Sequence, residues 1–300
     1  MPQFAASTTA TKHVFKVLRA VGSVSNYASV TISDQGLKFT VDTKSNSCQA
    51  HLFLTNQLFS SYEYNGGTDT ETEDLEAEEF STFTINLSSL ISCLQMFSEE
   101  GPAAVSLNSN DQHSSSQADG GVPLTVSNSS RFIYEGTGHP FMVFFKEGGM
   151  TTKCELTTYE AGETDMIELL VDRIDTKIII KGEIMLDALR ELESLGTEIL
   201  TIRSSLHAPH FVMTSKGQVE ESQLSFPNEK SLLETFIVEQ DSVVNSYHFS
   251  LISNAMEAVR LATKVSLRCD ENGIMSIQSM CEVGDGRQSF VDFRFVSCEP

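Results

Sequence analysis

Few residues of the chain have types and spacing that could support catalysis or metal binding. His207 and His210 are spaced as some metal ligands are, but they flank Pro209 at the start of a predicted strand, with no thiolate or carboxylate cluster nearby. The segment Glu63–Glu79 holds eight carboxylates and no basic residue, without the spacing of a calcium-binding loop. The motifs of phosphate-binding loops, serine hydrolases, zinc proteases and dinucleotide-binding domains do not occur. The sequence therefore predicts no enzyme, no cofactor and no metal site.

Three basic residues follow one another along one side of the first predicted helix. Apolar residues recur at helical spacing over Thr11–Val21 and form one face. Lys12, Lys16 and Arg19 fall on the opposite face. A row of ammonium and guanidinium groups could contact phosphates, or it could simply keep a helix surface in water. The pattern alone leaves both interpretations open.

Composition limits the classes to which the chain can belong. Its 300 residues, 40% of them hydrophobic, suffice for one or two cores. The formal net charge of −21 argues against a protein that coats nucleic acid or binds anionic membranes through a basic surface. No apolar run is long enough to span a membrane and Met1–Ala10 lacks a signal-peptide layout, so we expect an intracellular protein. Six scattered cysteines are typical of buried thiols in a reducing compartment, namely Cys48, Cys93, Cys154, Cys269, Cys281 and Cys298.

The chain repeats one order of elements on either side of a polar segment. Thr157–Asp165 is the predicted linker, while Glu63–Glu79 and Asn108–Gly121 are predicted to be solvated loops. Each half contains a helix, strands, a second helix and further antiparallel strands. The predicted helices are Thr11–Val21, Leu87–Phe97, Ile184–Leu195, which Gly196 ends, and Leu251–Thr263. This order predicts an α+β fold in which one unit is used twice.

The polar faces of the other helices differ from that of the first. They consist of Ser88, Ser92 and Gln95 in the second helix, Glu183, Asp187, Arg190 and Glu191 in the third, and Ser253, Glu257, Arg260 and Lys264 in the fourth. The first helix is therefore the only predicted helix with a purely basic face.

The repeated layout resembles that of sliding clamps of the PCNA type. Asn86-Leu87-Ser88-Ser89-Leu90 is similar to the clamp's entry into its second helix, Leu189-Arg190-Glu191-Leu192 to its third helix, and Ala262-Thr263-Lys264 to the end of its fourth. Over nearly its full length the chain more closely resembles the Rad-one subunit family of the DNA-damage checkpoint clamp, the nine-one-one ring. The segments that carry this resemblance are Phe83–Leu87 with Leu90 and Cys93-Leu94, Tyr134–Phe141, Glu147-Gly148-Gly149 with Cys154, and Lys264–Arg268.

This resemblance implies two tandem clamp domains, with antiparallel sheets outside and four helices facing a central pore. The N-terminal domain is then residues 1–156, the connecting linker 157–171 and the C-terminal domain 172–300. The DNA-facing residues that we expect are Lys12, Lys16, Arg19, Arg190, Arg260 and Lys264. Because the second helix carries serines and a glutamine where PCNA carries lysines, a ring of three different subunits fits better than a ring of this chain alone.

Rings of this type close by pairing edge strands of neighbouring subunits. The resemblance implies that the two edges are Met150–Leu156 and Val219–Phe226. The expected interface residues are Met150, Thr152, Cys154, Leu156, Val219, Leu224 and Phe226. Clamps also recruit partners to an apolar groove beneath the linker, and Met166, Ile167 and Leu169 are candidates to line it. The same apolar run equally fits a strand that leads into the second domain.

We therefore expect a subunit of a heterotrimeric checkpoint clamp in the nucleus, which encircles double-stranded DNA at damage sites and recruits checkpoint and repair proteins. The resemblance implies two other clamp subunits and a clamp loader of the replication-factor-C type as partners. The alternatives are a homotrimeric processivity clamp, a DNA exonuclease and an acidic scaffold with no role on DNA.

Overall fold

Alternation of apolar and polar residues folds most of the chain into antiparallel strands. The strand Tyr27–Ser33, for example, buries Ala28, Val30 and Ile32 and turns the side chains between them outward. The computed structural model describes residues 2–66, 80–98, 129–147, 149–162, 165–218, 221–284 and 286–298. The strands are β1 (Phe4–Thr8), β2 (Tyr27–Ser33), β3 (Gly36–Asp42), β4 (Cys48–Thr55), β5 (Ser61–Tyr64), β6 (Ser81–Asn86), β7 (Ser129–Tyr134), β8 (Phe141–Glu147), β9 (Met150–Leu156), β10 (Thr158–Tyr159), β11 (Ile174–Lys181), β12 (Ile199–Ser205), β13 (Phe211–Lys216), β14 (Glu221–Phe226), β15 (Leu233–Val238), β16 (Ser242–His248), β17 (Lys264–Asp270), β18 (Met275–Val283) and β19 (Arg287–Phe295).

Helices interrupt the strands at equivalent points of the two halves. They are α1 (Thr11–Val21), α2 (Leu87–Met96), α3 (Gly182–Ser194), α4 (Phe249–Ile252) and α5 (Met256–Leu261). Short 3₁₀ turns lie at Asn56–Leu58, Val171–Arg173 and Ser253–Ala255. β1 and β11 each lead into a helix, five strands, a second helical segment and three strands. The predicted α+β repeat is thus confirmed, with β10 lying between its two copies.

The described strands form three sheets, one of which joins the two halves. The first half holds a five-stranded sheet in the order β5-β1-β7-β8-β9, and the second half a four-stranded sheet in the order β14-β13-β12-β16. The third sheet has ten strands, in the order β10-β6-β2-β3-β4-β19-β18-β17-β11-β15. In its middle, β4 pairs antiparallel with β19 from Cys48 opposite Phe295 to Phe53 opposite Phe290. The two halves therefore share one continuous hydrogen-bonded sheet, which we call the central sheet.

The helices lie side by side on one face of the central sheet. α2 packs against α1, α1 against α5, and α5 against α3, so the row crosses both halves of the chain. On this side the strands bury a continuous apolar layer, in which Phe39 lies opposite Leu52 and Leu52 opposite Val291. We call this the helix face of the central sheet and the opposite side its outer face.

The prediction of the fourth helix is wrong in two respects, since the helix is interrupted and it ends earlier than expected. In place of one helix over Leu251–Thr263, α4 and α5 flank a 3₁₀ turn, and α5 stops at Leu261. The side chain of Asn254 donates to the carbonyl oxygens of Ser250 and Leu251 at 3.4 and 3.0 Å. Such side-chain bonds compete with the helical main-chain bonds, which accounts for the break.

One predicted loop begins later than expected. Glu63 and Tyr64 belong to β5 and pair with β1, because the ring of Tyr64, like that of Tyr62, packs against the core. The remainder of the predicted acidic loop lies outside the described residues from residue 67 onward, and so does the whole of Asn108–Gly121.

All six cysteines carry free thiols, as the sequence predicts, but only three of them are buried. Burial raises the pKa of the Cys48, Cys269 and Cys281 thiols to about 12, so these three behave as inert core side chains. Cys93, Cys154 and Cys298 are half-buried, and for them the prediction of a buried thiol is wrong.

Gly182 lies where the first turn of α3 meets the end of α5, and no larger residue fits there. Its N–H donates to the carbonyl of Thr263 at 3.1 Å, and an added methyl would stand 2.0 Å from the carbonyl oxygen of Ala262. We predict that Gly182→Ala lowers the free energy of unfolding by about 1–3 kcal/mol, because the two backbones must move apart. Urea unfolding followed by circular dichroism measures this. In the control Gly284→Ala the added methyl meets no atom within 4 Å, and an equal loss in both variants would contradict the prediction.

Candidate DNA-facing helices and subunit edges

α1 buries the predicted apolar stripe and leaves its basic residues on the other side. The stripe consists of Val14, Val17, Leu18 and Val21, and all four are buried. Lys12 is exposed, and Lys16 and Arg19 are half-buried. The guanidinium of Arg19 lies over the ring of Phe15, 5.3 Å from its centre, which extends this side chain along the helix. The predicted boundaries of α1, Thr11–Val21, are confirmed.

His13 adds no charge to this basic surface at neutral pH. Its Nε2 lies 2.6 Å from the hydroxyl of Ser289 on β19. Burial, followed by the nearby charges of Lys16 and Arg287, lowers the pKa of His13 to about 4. The positive charge of α1 therefore comes from Lys12, Lys16 and Arg19.

Glu257 on α5 binds Arg19 on α1, which joins the second half of the chain to the first, and it also binds Arg260 of its own helix. Its Oε1 accepts hydrogen bonds from Arg19 Nη2 at 2.7 Å and from Arg260 Nη2 at 2.6 Å, and its Oε2 accepts one from Arg260 Nε at 2.8 Å. The bonds from Arg260 are the main reason why the pKa of Glu257 falls to about 2; those from Arg19 add to the effect, and burial opposes it. Glu257 is therefore ionised at every physiological pH and neutralises part of the charge of two predicted DNA-facing residues.

α2 and α3 contribute little positive charge. The predicted polar face of α2 is exposed and uncharged, since Ser88, Ser92 and Gln95 compose it. Arg190 is the only basic residue of α3; it is exposed, and its Nη1 lies 3.8 Å from Asp187 Oδ1. Basic groups among the described helices are thus concentrated on α1 and at the end of α5.

Lys264 does not belong to the fourth helix, although the sequence analysis places it on the polar face of that helix. It is the first residue of β17, in which Val265 and Leu267 are buried on the helix face. Because side chains alternate along a strand, Lys264 points to the outer face, where it pairs with Glu234 at 2.8 Å. The helical placement of Lys264 is wrong, and this residue stands apart from the basic groups of α1 and α5.

The first predicted subunit edge is a sheet edge in the structure. β9 is the outermost strand of the five-stranded sheet, with the predicted bounds Met150–Leu156. Met150 is 72% exposed, Thr152 is exposed and Cys154 is half-buried. Leu156 packs in the core, so it can offer a neighbour only main-chain groups.

The second predicted edge is also an outermost strand. β14 ends the four-stranded sheet and, among the described strands, pairs only with β13. Leu224 and Phe226 are half-buried, and the ring of Phe226 lies 5.0 Å from that of Phe211. The observed strand starts at Glu221, and Val219 lies outside the described residues.

The linker is fixed to the outer face of the central sheet by three polar side chains. Ile167 N–H donates to Gln49 Oε1 at 3.1 Å, and Arg294 Nη1 donates to the Ile167 carbonyl at 2.8 Å. Three residues further on, Leu170 N–H donates to Asp270 Oδ2 at 3.0 Å. The segment is therefore anchored to side chains of the sheet through its main chain, and it forms no strand between these points.

The predicted partner groove is mostly closed in the single chain. Met166 is 42% exposed, whereas Ile167 and Leu169 are buried against the sheet. An apolar groove lined by all three residues remains a prediction, and of the three only Met166 offers a surface to a partner without movement of the linker.

The described part of the chain holds no cluster of metal-ligating groups. No three side chains from histidine, cysteine, aspartate and glutamate come together there in a way that could hold a metal ion. Within the same residues no helix is long and apolar enough to cross a membrane.

Comparison with known proteins matches both the sequence and the fold. The family described as "Repair protein Rad1/Rec1/Rad17" matches residues 3–281. "DNA damage checkpoint control protein rad1" of Schizosaccharomyces pombe is 34% identical over 98% of this chain and 86% of its own. "Cell cycle checkpoint protein RAD1" of Mus musculus is 30% identical over 96% of this chain and 90% of its own.

Solved structures of clamps share the fold at low sequence identity. The proliferating cell nuclear antigen of Entamoeba histolytica superimposes with a TM-score of 0.71 over the whole of both chains, at 16% identity. The PCNA of Thermococcus kodakaraensis superimposes with a TM-score of 0.69 over 98% of this chain and all of its own, at 12% identity. The PCNA-like fold is therefore confirmed, and the chain belongs to the Rad1/Rec1/Rad17 family of repair proteins.

Proposed function

We propose that the chain is one subunit of a heterotrimeric checkpoint sliding clamp, which encircles double-stranded DNA at sites of damage and recruits checkpoint and repair proteins. Family membership supports the checkpoint role, since the similar yeast and mouse proteins are named for checkpoint control. The PCNA-like fold supports the clamp, and the helix row with its basic α1 supports a surface for DNA.

The main support for a ring is the strand pairing that joins the two halves of the chain. By position in the repeat, β9 corresponds to β19 and β14 to β4. β19 and β4 pair antiparallel within the chain, whereas β9 and β14 are both left at sheet edges. The same pairing between subunits, β9 of one with the equivalent of β14 in the next, would continue the sheets around a ring. Unpaired edges invite such association.

In this proposal DNA is held by topology and by loose phosphate contacts. The groups proposed to touch phosphates are Lys12, Lys16, Arg19, Arg190 and Arg260, and we leave out Lys264 because of its position on the outer face. Contacts of this kind carry no base sequence information and weaken steeply with salt, which suits a ring that slides. A ring closed on DNA needs a loader, for which we propose a complex of the replication-factor-C type acting in the nucleus.

A heterotrimer is favoured over a ring of three identical chains by the charge of the helix row. α2 carries no charged residue, the single arginine of α3 stands among carboxylates, and Glu257 neutralises part of α5 and α1. Three copies would therefore line a pore with little net positive charge, whereas partner subunits could supply the missing lysines and arginines.

Mass measurement of the purified chain and of its complexes tests this proposal. We expect the chain alone to run as a 33.0 kDa monomer in size-exclusion chromatography with light scattering. Co-expressed with two candidate clamp subunits, it should give one complex with equal amounts of all three in native mass spectrometry. A stable homotrimer of this chain would overturn the heterotrimer in favour of the processivity clamp.

A further inference from the structure

The five-stranded sheet of the first half carries a cavity on the side that faces away from the core. Its other side packs in the core, where Phe132, Val143 and Phe145 are buried. Because side chains alternate along a strand, the residues between these point outward, among them Arg131 on β7 and Phe144 on β8. Outward side chains of β1, β7, β8 and β9 surround a space of about 270 Å³. We call this space the β7–β8 cavity.

Two cations of the β7–β8 cavity lie close enough to bind one anion together. Arg131 lies directly opposite Phe144, and Lys146, two residues further along β8, lies opposite Ser129 on β7. Arg131 and Lys146 are therefore diagonal neighbours on adjacent strands. Such neighbours are about 7–8 Å apart, which long side chains can span. The guanidinium and the ammonium can thus converge on a group bound between them.

Arg131 and Lys146 lack partners among the described residues. Both side chains are exposed, and no hydrogen bond or ion pair to either occurs there. The third cation on this side, Lys153, differs from them. It pairs with Glu155 on its own strand, and its ammonium lies over the ring of Phe144, 5.8 Å from the centre. Two of the three cations are therefore left for a ligand.

The carboxylates on this side of the sheet do not balance Arg131 and Lys146. Glu155 is taken up by the pair just described. Glu63 lies on β5, and β1 separates that strand from β7. Glu147 follows Lys146 along β8 and therefore projects from the opposite side. Among the described residues that line the cavity none is acidic.

Three hydroxyl groups surround the two cations. Ser7 on β1 lies opposite Arg131, while Ser129 on β7 and Thr151 on β9 lie on either side of Lys146. In the described part of the chain none of these hydroxyls takes part in a hydrogen bond. They can donate to oxygens that a guanidinium fork and an ammonium leave unbound. A phosphate monoester suits this set better than a carboxylate, because it offers three oxygens and a charge of about −1.5 to −2.

We propose that the β7–β8 cavity binds a phosphorylated serine or threonine in a segment of a partner protein, with its phosphate between Arg131 and Lys146. Ile133 and Phe144 also line the cavity, and both are half-buried. They offer an apolar contact to the side chains beside the phosphorylated residue, and no such contact to a DNA backbone. The cavity lies away from the helix row, so the proposed DNA contacts do not use it. The inference deepens the recruitment part of the proposed function.

Retention of peptides by the full chain alone tests the proposal without DNA or other subunits, so a failure here leaves ring formation standing. The probe is a degenerate peptide library with one fixed phosphoserine, compared with the same library carrying serine or glutamate at that position. We expect the chain to retain about tenfold more of the phosphoserine library than of the serine library, with glutamate in between. The difference should shrink as salt is added.

Two results of this experiment would overturn the proposal. One is equal retention of the phosphoserine and serine libraries, or retention of neither. The other is a duplex DNA that displaces the retained phosphopeptides at an equal concentration of phosphate groups, since this would assign the cavity to nucleic acid.

Substitutions at Arg131 locate the binding in the cavity. Arg131→Gln should lower retention of the phosphoserine library about tenfold, and Arg131→Lys, which keeps the charge without the fork, should restore part of it. The matched control is Arg203→Gln, which should have no effect. Arg203 projects from the outward side of the four-stranded sheet, opposite Val212 and Val244, and has no partner among the described residues. Circular dichroism shows that each variant is folded, and an equal loss in Arg131→Gln and Arg203→Gln would assign the binding to general charge and overturn the site.

Discussion

With Lys12 and Lys16 both replaced by glutamate, the assembled ring is expected to bind double-stranded DNA roughly 100-fold more weakly at about 0.1 M salt. Each lost phosphate contact lowers the affinity about eightfold at that salt concentration, because log affinity falls against log salt concentration with a slope of about −0.9 per contact. Two such losses, with two carboxylates added on the same helix face, account for the expected factor. The slope of log affinity against log salt should also become shallower by about two.

Filter binding of a nicked circular duplex to the complete complex, at several salt concentrations, measures both quantities. Lys44 and Lys230 are exposed lysines on connecting segments, so Lys44→Glu with Lys230→Glu makes the same change of net charge away from the helices. Native mass spectrometry shows that each variant still assembles. A comparable loss in the control pair, or an intact ring whose DNA binding does not change, would contradict a DNA-facing α1.

The sequence predicts the elements that carry a clear period. α1 has the expected bounds because its apolar residues recur at unbroken helical spacing, and β2 buries every second residue. β9 also has the expected bounds, but these came from the family resemblance, since its burial does not alternate. The doubled order of elements follows from the same patterns. Membership of a clamp family can therefore be predicted from the sequence alone, since it depends on this order and on short segments of local sequence.

What the sequence could not predict depends on contacts between distant residues. Lys264 looks helical because Leu251–Leu261 is mostly helical, and only the break near Asn254 and the pairing of β17 with β11 move it to the outer face. The pair of Glu257 with Arg260 is local, three residues apart on one helix, but nothing local indicates that Glu257 also binds Arg19, since that bond exists only where α1 and α5 meet.

The polar outer face of the central sheet has a partial signature in the sequence. Lys38, Thr40 and Asp42 alternate with buried residues on β3, and Gln49 and His51 share the same side of β4. Polar residues at every second position on neighbouring strands indicate a polar outer face. Which of these groups meet Asp292 and Arg294 depends on the pairing of β4 with β19 across the two halves, and that pairing has no local signature.

Glu257→Gln is expected to change DNA binding in the opposite direction, raising the affinity of the assembled ring roughly tenfold at about 0.1 M salt and steepening the salt slope by about one. The carboxylate now neutralises one of the two guanidiniums it bridges, and glutamine keeps its size while it removes the charge.

Glu193→Gln removes an exposed carboxylate from α3 that bridges no arginine among the described residues, so it controls for net charge alone. An equal gain in both variants would assign the effect to overall charge. A loss of affinity in Glu257→Gln would mean that the bridge orients Arg19 and Arg260 toward phosphate, and would contradict the view that it restrains them. We expect this gain because Glu257 partly neutralises Arg19 and Arg260. The weak phosphate contacts that result suit a ring that must slide along DNA and be removed from it.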